Sequence, residues 1–171
     1  MMPLPAALGG ASELVAWRLD WTRHAASWDS GKGARLDGGR WNSLGRPAVY
    51  ASLDPATTIL ERAVHTGFAL LDSVPHVLTS LRIVEPTWVH VVLPAEVPNG
   101  NWLRSGAVSA GQQAFGDALL AAHAFVVLPS VVSAQSWNVV FDPVRAGRGY
   151  ALIAQEPFAL DTRLNQGTGR R

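Results

Sequence analysis

Apolar positions along this chain change their rhythm several times, and each change marks an element. Residues 13–19 (ELVAWRL) form a short apolar run interrupted by Arg18, the pattern of a strand whose one polar side chain is either aimed at a particular partner or lies on the surface of an edge strand. Residues 20–39 mix two tryptophans, four glycines and scattered charge, and predict a long structured loop of the kind that often carries function. Residues 47–52 (PAVYAS) predict a buried strand. Asp54-Pro55 then supply the N-cap and first-turn proline of a helix. In it Ile59, Leu60, Ala63 and Val64 recur at helical spacing and predict the core-facing stripe, with Glu61 on its border.

Two more strands are predicted over 77–83 and 88–93, the second closed by Pro94. A loop over 98–105 carries Trp102. A second helix is predicted over 109–123, with Ala114, Phe115, Ala118, Leu119 and Ala122 toward the core. Strands over 124–128 and 137–141 end at Pro129-Ser130 and Asp142-Pro143, and a last strand runs over 150–160. Six or seven short strands with two clear helices, not in regular alternation, predict an α+β fold with a mostly antiparallel sheet. The chain is read as one compact domain over 1–160 followed by a flexible tail over 161–171.

Composition narrows the function classes. With 48% hydrophobic and 16% charged residues the chain has enough apolar surface to fold alone. A formal net charge of +1 and dispersed basic residues argue against direct nucleic-acid binding, which needs a basic stripe. Cysteine is absent, which excludes disulfides and thiolate chemistry and fits a reducing cytoplasm. The start, MMPLPAALGG, is a poor signal peptide, and no apolar run is long enough to suggest a membrane span. The histidines, His24, His65, His76, His90 and His123, lack metal-site spacing, so no metal is expected. Gly31-Lys32-Gly33 lacks the third glycine of a dinucleotide fingerprint, and no phosphate-loop motif or Gly-x-Ser-x-Gly elbow is present.

The stretch from Arg35 to Glu61 concentrates the candidate chemistry. Arg40 follows two glycines, a setting in which a guanidinium approaches a phosphate closely and grips it with two parallel hydrogen bonds. Tyr50 ends an apolar strand, where it serves equally as a stacking wall or as a core tyrosine. Trp41 is a stacking wall or a core anchor, and Asn42 serves the turn. Glu61 is an idle exposed carboxylate or one that looks into a cleft.

GGRWNSLGRPAVYASLDPATTILERAVH resembles the opening motif of RES-domain proteins, the toxins of RES-Xre toxin and antitoxin pairs. Leu128-Pro129-Ser130 and Trp137-Asn138-Val139-Val140-Phe141-Asp142-Pro143 resemble that family's serine and asparagine segment, and with Trp17-Arg18 the likeness spans most of 14–145. The resemblance implies a fold like that of ADP-ribosyltransferase toxins and an activity that consumes NAD as substrate, without a cofactor. The acceptor would be water, inorganic phosphate or, in some members, a protein side chain; the alternative is a non-catalytic nucleotide-binding module that has kept the fold. Arg40, Tyr50, Glu61 and Ser130 carry over as catalytic residues, and Arg18, Gly39, Trp41 and Asn138 as substrate-binding ones. It further implies a cytoplasmic protein held by an Xre-type antitoxin that occludes the active site, with a homodimer possible inside a hetero-oligomeric complex. The chemistry is consistent with one carboxylate. Nicotinamide is joined to ribose as a cationic pyridinium and leaves as the neutral base without a general acid, so the task is to stabilise the oxocarbenium ion that develops on ribose.

Overall fold

The strands β1 (Leu14–Trp21), β2 (Val49–Ser52), β3 (His76–Ile83), β4 (Val89–Val91), β5 (Phe125–Pro129), β6 (Trp137–Phe141) and β7 (Tyr150–Phe158) form one sheet in the order β4-β5-β6-β2-β1-β3-β7. This computed structural model describes residues 13–161. The expected tail from residue 162 onward and the N-terminal MMPLPAALGG lie outside the described residues. Every pairing is antiparallel except β4 with β5. These two are joined by α4 (Ala110–Ala122), as a parallel pair requires a long crossover. The α+β expectation holds, and all the predicted strands form.

Alternation along the strands splits the core between the two faces. Val49 and Ala51 of β2, Val127 of β5, and Val139 and Phe141 of β6 bury on one side with Leu14, Ala16, Leu81, Ile83 and Trp28. On the other side α4 covers Val126, Leu128 and Val140. There α2 (Pro55–Thr66) and α3 (Phe68–Ser73) close over Leu19 through Ala63 and Leu71.

Both predicted helices form with their faces shifted. In α4 the buried residues are Gln112, Gly116 and Leu120, whereas Ala114, Ala118 and Ala122 of the expected core face are exposed. The reason is steric: a Cβ on Gly116 would lie 2.1 Å from the Trp41 carbonyl oxygen, so the helix seats its glycine against that backbone. In α2 the buried residues are Thr57, Thr58 and Ala63, while Leu60 and Val64 are 40% and 67% exposed. The expected loop over 20–39 is in part regular: β1 extends to Trp21, a 3₁₀ turn spans Thr22–Ser27, and α1 occupies Lys32–Asp37.

The sheet opens at its centre. β1 pairs with β3 over its full length but shares a single ladder pair with β2, Trp17 with Ser52. Past that pair the two strands diverge. The Tyr50 carbonyl accepts from Arg18 Nη1 at 2.8 Å across the gap. A cleft lies at this split, with α2 along its rim.

Candidate active site

The cleft encloses roughly 130 Å³ and is lined by Trp17, Arg18 and Leu19 from β1, Tyr50, Ala51 and Ser52 from β2, Asn138 from β6, and Thr58, Glu61, Arg62 and His65 from α2. The α2 residues are spaced i, i+3, i+4 and i+7, so one face of the helix presents a polar stripe to the opening. Its orientation is set at the N-terminus. Asp54 accepts from Thr57 N at 2.7 Å and from the Ser136 hydroxyl, which ties the helix start to the loop between β5 and β6. These donors outweigh the effect of burial and hold the Asp54 carboxyl below its ordinary pKa. Deeper along the helix, the Thr58 hydroxyl donates to the Trp17 carbonyl at 2.6 Å.

Glu61 is the one carboxylate among the lining residues. Its Oε1 accepts from Ser130 Oγ at 2.9 Å and from Asn138 Nδ2 at 2.5 Å. Both donors are themselves supported: Ser133 N donates to Ser130 Oγ at 3.1 Å, and Ser52 Oγ donates to Asn138 Oδ1 at 2.8 Å. Among the described residues both side-chain donors on the carboxylate therefore converge on one oxygen, leaving Oε2 for the cleft.

Two guanidinium groups share the cleft with it. Arg18 is gripped by Asp20 through two bonds, Nε to Oδ2 at 2.6 Å and Nη2 to Oδ1 at 2.8 Å, so much of its charge is already balanced. Arg62 lies with its guanidinium carbon 5.5 Å from the Trp21 ring centre, and its buried Nε has no hydrogen-bond partner among the described residues. Burial lowers the pKa of Arg62, with nearby Asp20 opposing and Arg18 reinforcing that shift; the group stays charged.

The Gly38-to-Asn42 turn stands beside this cleft. Asn42 is fully buried and donates through Nδ2 to the carbonyls of Ala34, Ser43 and Arg46. Tyr50, one of the lining residues, donates its hydroxyl to Asn42 Oδ1 at 2.8 Å and accepts from Trp41 N at 3.0 Å, so its hydroxyl locks the turn. Burial pushes the Tyr50 phenol far above its ordinary pKa and keeps that proton in place. Gly39 is required by closeness, since a Cβ there would sit 2.5 Å from Asn42 Oδ1 and 2.6 Å from the Tyr50 hydroxyl.

The expected site residues thus divide. Arg18, Tyr50, Glu61 and Asn138 line the cleft, and Ser130 holds Glu61 from behind. Asn138 spends its amide on Glu61 and Ser52, which makes it a scaffold for the carboxylate in this state. Arg40 does not line the cleft; its Nη1 donates to the carbonyls of Trp102 at 3.3 Å and Arg104 at 3.5 Å. Trp41, expected at the substrate, is 2% exposed and packs edge-on against Phe115, so it is a core anchor. Sequence reasoning missed Arg62, Ser52, Thr58 and His65. The readable signal was the polar stripe at helical spacing, which hydropathy assigns to the solvent side.

A larger, shallow hollow of about 530 Å³ lies between Trp88, His90, His123 and Arg145. It contains no carboxylate and shares no residue with the cleft. Among the described residues no three His, Asp or Glu side chains are grouped to hold a metal, and no helix is long and apolar enough to cross a membrane.

Residues 15–161 match the family model of the RES domain, a span that includes every residue of the cleft. The chain belongs to the RES domain family. A stretch of 54 residues is 43% identical to the protein "Toxin Res" of Photorhabdus laumondii, covering 32% of this chain and 35% of that one. Over 88% of this chain and 99% of its relative, the RES protein is 31% identical to "Toxin Res" of Pseudomonas putida. It is 30% identical to the "Prs ADP-ribosylating toxin" of a Sphingobium species, over 74% of this chain and 81% of that one. The RES fold also matches a chain in the crystal structure of the M. tuberculosis MbcT-MbcA toxin-antitoxin complex. There the TM-score is 0.66 at 20% identity, over 86% of this chain and 85% of the other.

Proposed function

We propose that this chain is the toxin of a toxin-antitoxin pair and degrades NAD by cleaving the bond between nicotinamide and ribose, with inorganic phosphate or water as acceptor. The observation that carries the reading is the convergence of Ser130 and Asn138 on a single oxygen of Glu61, in a cleft whose other charged lining is cationic. A carboxylate held in that way stabilises positive charge developing on a ribose carbon, while Arg18 and Arg62 favour the anionic diphosphate. A cleft of roughly 130 Å³ is smaller than the ~300 Å³ or more that encloses a whole drug-sized ligand. NAD therefore enters by its nicotinamide riboside end, with the diphosphate outside toward the two arginines and Arg40. Arg40 reaches it by exchanging its long bonds to the two carbonyls for bonds to phosphate.

The relatives named as toxins support the biological role, and the structural neighbour seen in a toxin-antitoxin complex supports an antitoxin partner. We assign that partner to the Xre type and place it over the cleft, which keeps the cytoplasmic NAD pool intact until it is removed. The test is incubation of the purified protein with NAD, with and without phosphate, and separation of products by mass. Nicotinamide with ADP-ribose phosphate identifies phosphate as acceptor, and nicotinamide with ADP-ribose identifies water. A folded protein that releases no nicotinamide overturns the proposal. The relative named as an ADP-ribosylating toxin favours a second reading, transfer of ADP-ribose to a protein. Labelled NAD giving a labelled protein band in place of free product would select it.

A further inference from the structure

We propose that Ser52 is a positioning residue: acting through the Asn138 amide, it fixes the Glu61 carboxylate so that Oε1 is held and Oε2 is left for the substrate. The inference rests on the role given to Glu61 above. Ser52 is the last residue of β2, is 2% exposed, and stands directly opposite Asn138 in the antiparallel β2–β6 ladder. That register brings its Oγ to 2.8 Å from Asn138 Oδ1.

The logic is one of hydrogen-bond direction. An ionised carboxylate only accepts, so the group 2.5 Å from Glu61 Oε1 must be the NH₂ end of the Asn138 amide. The carbonyl end then points away from the carboxylate, toward the buried side chain opposite it in the ladder. Ser52 supplies the donor, giving a one-way chain from Ser52 O–H to Asn138 Oδ1 and from Asn138 N–H to Glu61 Oε1. Without the hydroxyl, the amide carbonyl loses its donor, and the NH₂ end is left to hold its place at Glu61 without that second anchor.

The second donor on Oε1 has a parallel support, because Ser133 N donates to Ser130 Oγ, which donates to Oε1. Glu61 is thus braced by two relays from different segments. The Ser52 relay is built into the sheet ladder and the Ser130 relay into a loop. The ladder position also ties this relay to the opening of the cleft, since Ser52 is the β2 member of the single pair with Trp17 of β1.

The experiment combines kinetics with NMR. Ser52→Ala is expected to lower kcat for nicotinamide release about five- to tenfold, the scale of one hydrogen bond, with KM within about twofold. Combined with Asn138→Ala it adds no further loss, because Ser52 acts only through that amide. In protein labelled at asparagine nitrogen, the Asn138 NH₂ signals, identified by their loss in Asn138→Ala, should shift and exchange faster in Ser52→Ala. Losses that multiply in the double variant, an unchanged kcat, or unchanged Asn138 signals overturn the inference. If the wild-type protein releases no nicotinamide, the proposed function falls, and the NMR comparison still decides the relay by itself.

Discussion

Replacing Glu61 by glutamine is the most direct test of the site, because the surrounding hydrogen bonds isolate charge from shape. The glutamine carbonyl oxygen can stand where Oε1 stands and accept from Ser130 and Asn138, as the carboxylate does. Its NH₂ then replaces Oε2, the oxygen assigned to the substrate. Stability should therefore change by no more than about 1 kcal/mol, one ordinary hydrogen bond. The charge that faces the reacting ribose is lost outright. Electrostatic groups in a water-excluded site are worth about 3–4 kcal/mol, so nicotinamide release should slow by a factor of about 10² to 10³. Glu61→Ala supplies the contrast: it leaves Ser130 and Asn138 without an acceptor and should cost about 1–3 kcal/mol of stability in addition. The assay is the initial rate of nicotinamide release by chromatography, alongside urea denaturation of the same samples. A folded Glu61→Gln protein within tenfold of the wild-type rate would refute the assignment.

Further outcomes follow from the turn, the cap and a buried ring. Gly39→Ala places a Cβ against Asn42 Oδ1 and the Tyr50 hydroxyl, both fixed by other bonds; it should cost about 1–3 kcal/mol in urea denaturation, and a loss below about 0.5 kcal/mol would mean that the turn relaxes freely. Asp54→Ala removes the N-cap of α2 and its tie to Ser136, for a loss of about 1–2 kcal/mol near neutral pH. Because the Asp54 carboxyl is held below 3.8 in the fold, its charge-dependent stabilisation is present above that value and fades as pH falls through the lowered one. The gap between wild type and Asp54→Ala should accordingly narrow toward pH ~3, and a constant gap would refute the carboxylate's role. His76 is 2% exposed, and burial lowers its pKa below 6.5, so the folded state keeps the ring neutral while the unfolded chain takes up a proton. Stability should fall on acidification from about pH 7.5 to about 5.5, and fall less in His76→Asn; equal slopes in urea midpoints would count against it.

Much of the site was legible because its residues sit close together in sequence. Tyr50 and Glu61 lie on neighbouring elements whose boundaries are written in Pro47, Asp54 and Pro55, and the place of Ser130 in the site could be expected from the family resemblance. The role of Asn42 in shaping its turn was readable too, since its side chain bonds mostly to nearby backbone. The faces of the helices were less legible. In α2, Leu60 and Val64 suggested the core, yet Thr58, Glu61, Arg62 and His65 face the cleft. Hydropathy periodicity locates a helix well, but a helix bordering a polar cleft has two walls to satisfy, and the pattern records their sum. In α4 the alanines offered no preference for either side, and the fit of Gly116 to the Trp41 carbonyl chose the face.

By itself, then, the chain specified its strands, its two main helices, its α+β class and the short list from which the site is drawn. These depend on local chemistry: alternation, caps, turn residues and proline stops. Tertiary structure alone decided which members of that list meet. It opened the sheet at the single Trp17–Ser52 pair, held Arg40 at the carbonyls of Trp102 and Arg104, and buried Trp41. It also brought Asn138 and Ser130 to one oxygen of Glu61, and Ser52 to the other end of the Asn138 amide. The physical reason is that these contacts join segments up to 86 positions apart, Ser52 with Asn138 being the longest of them. Ladder register and the divergence of two strands set those distances, and no local pattern encodes either.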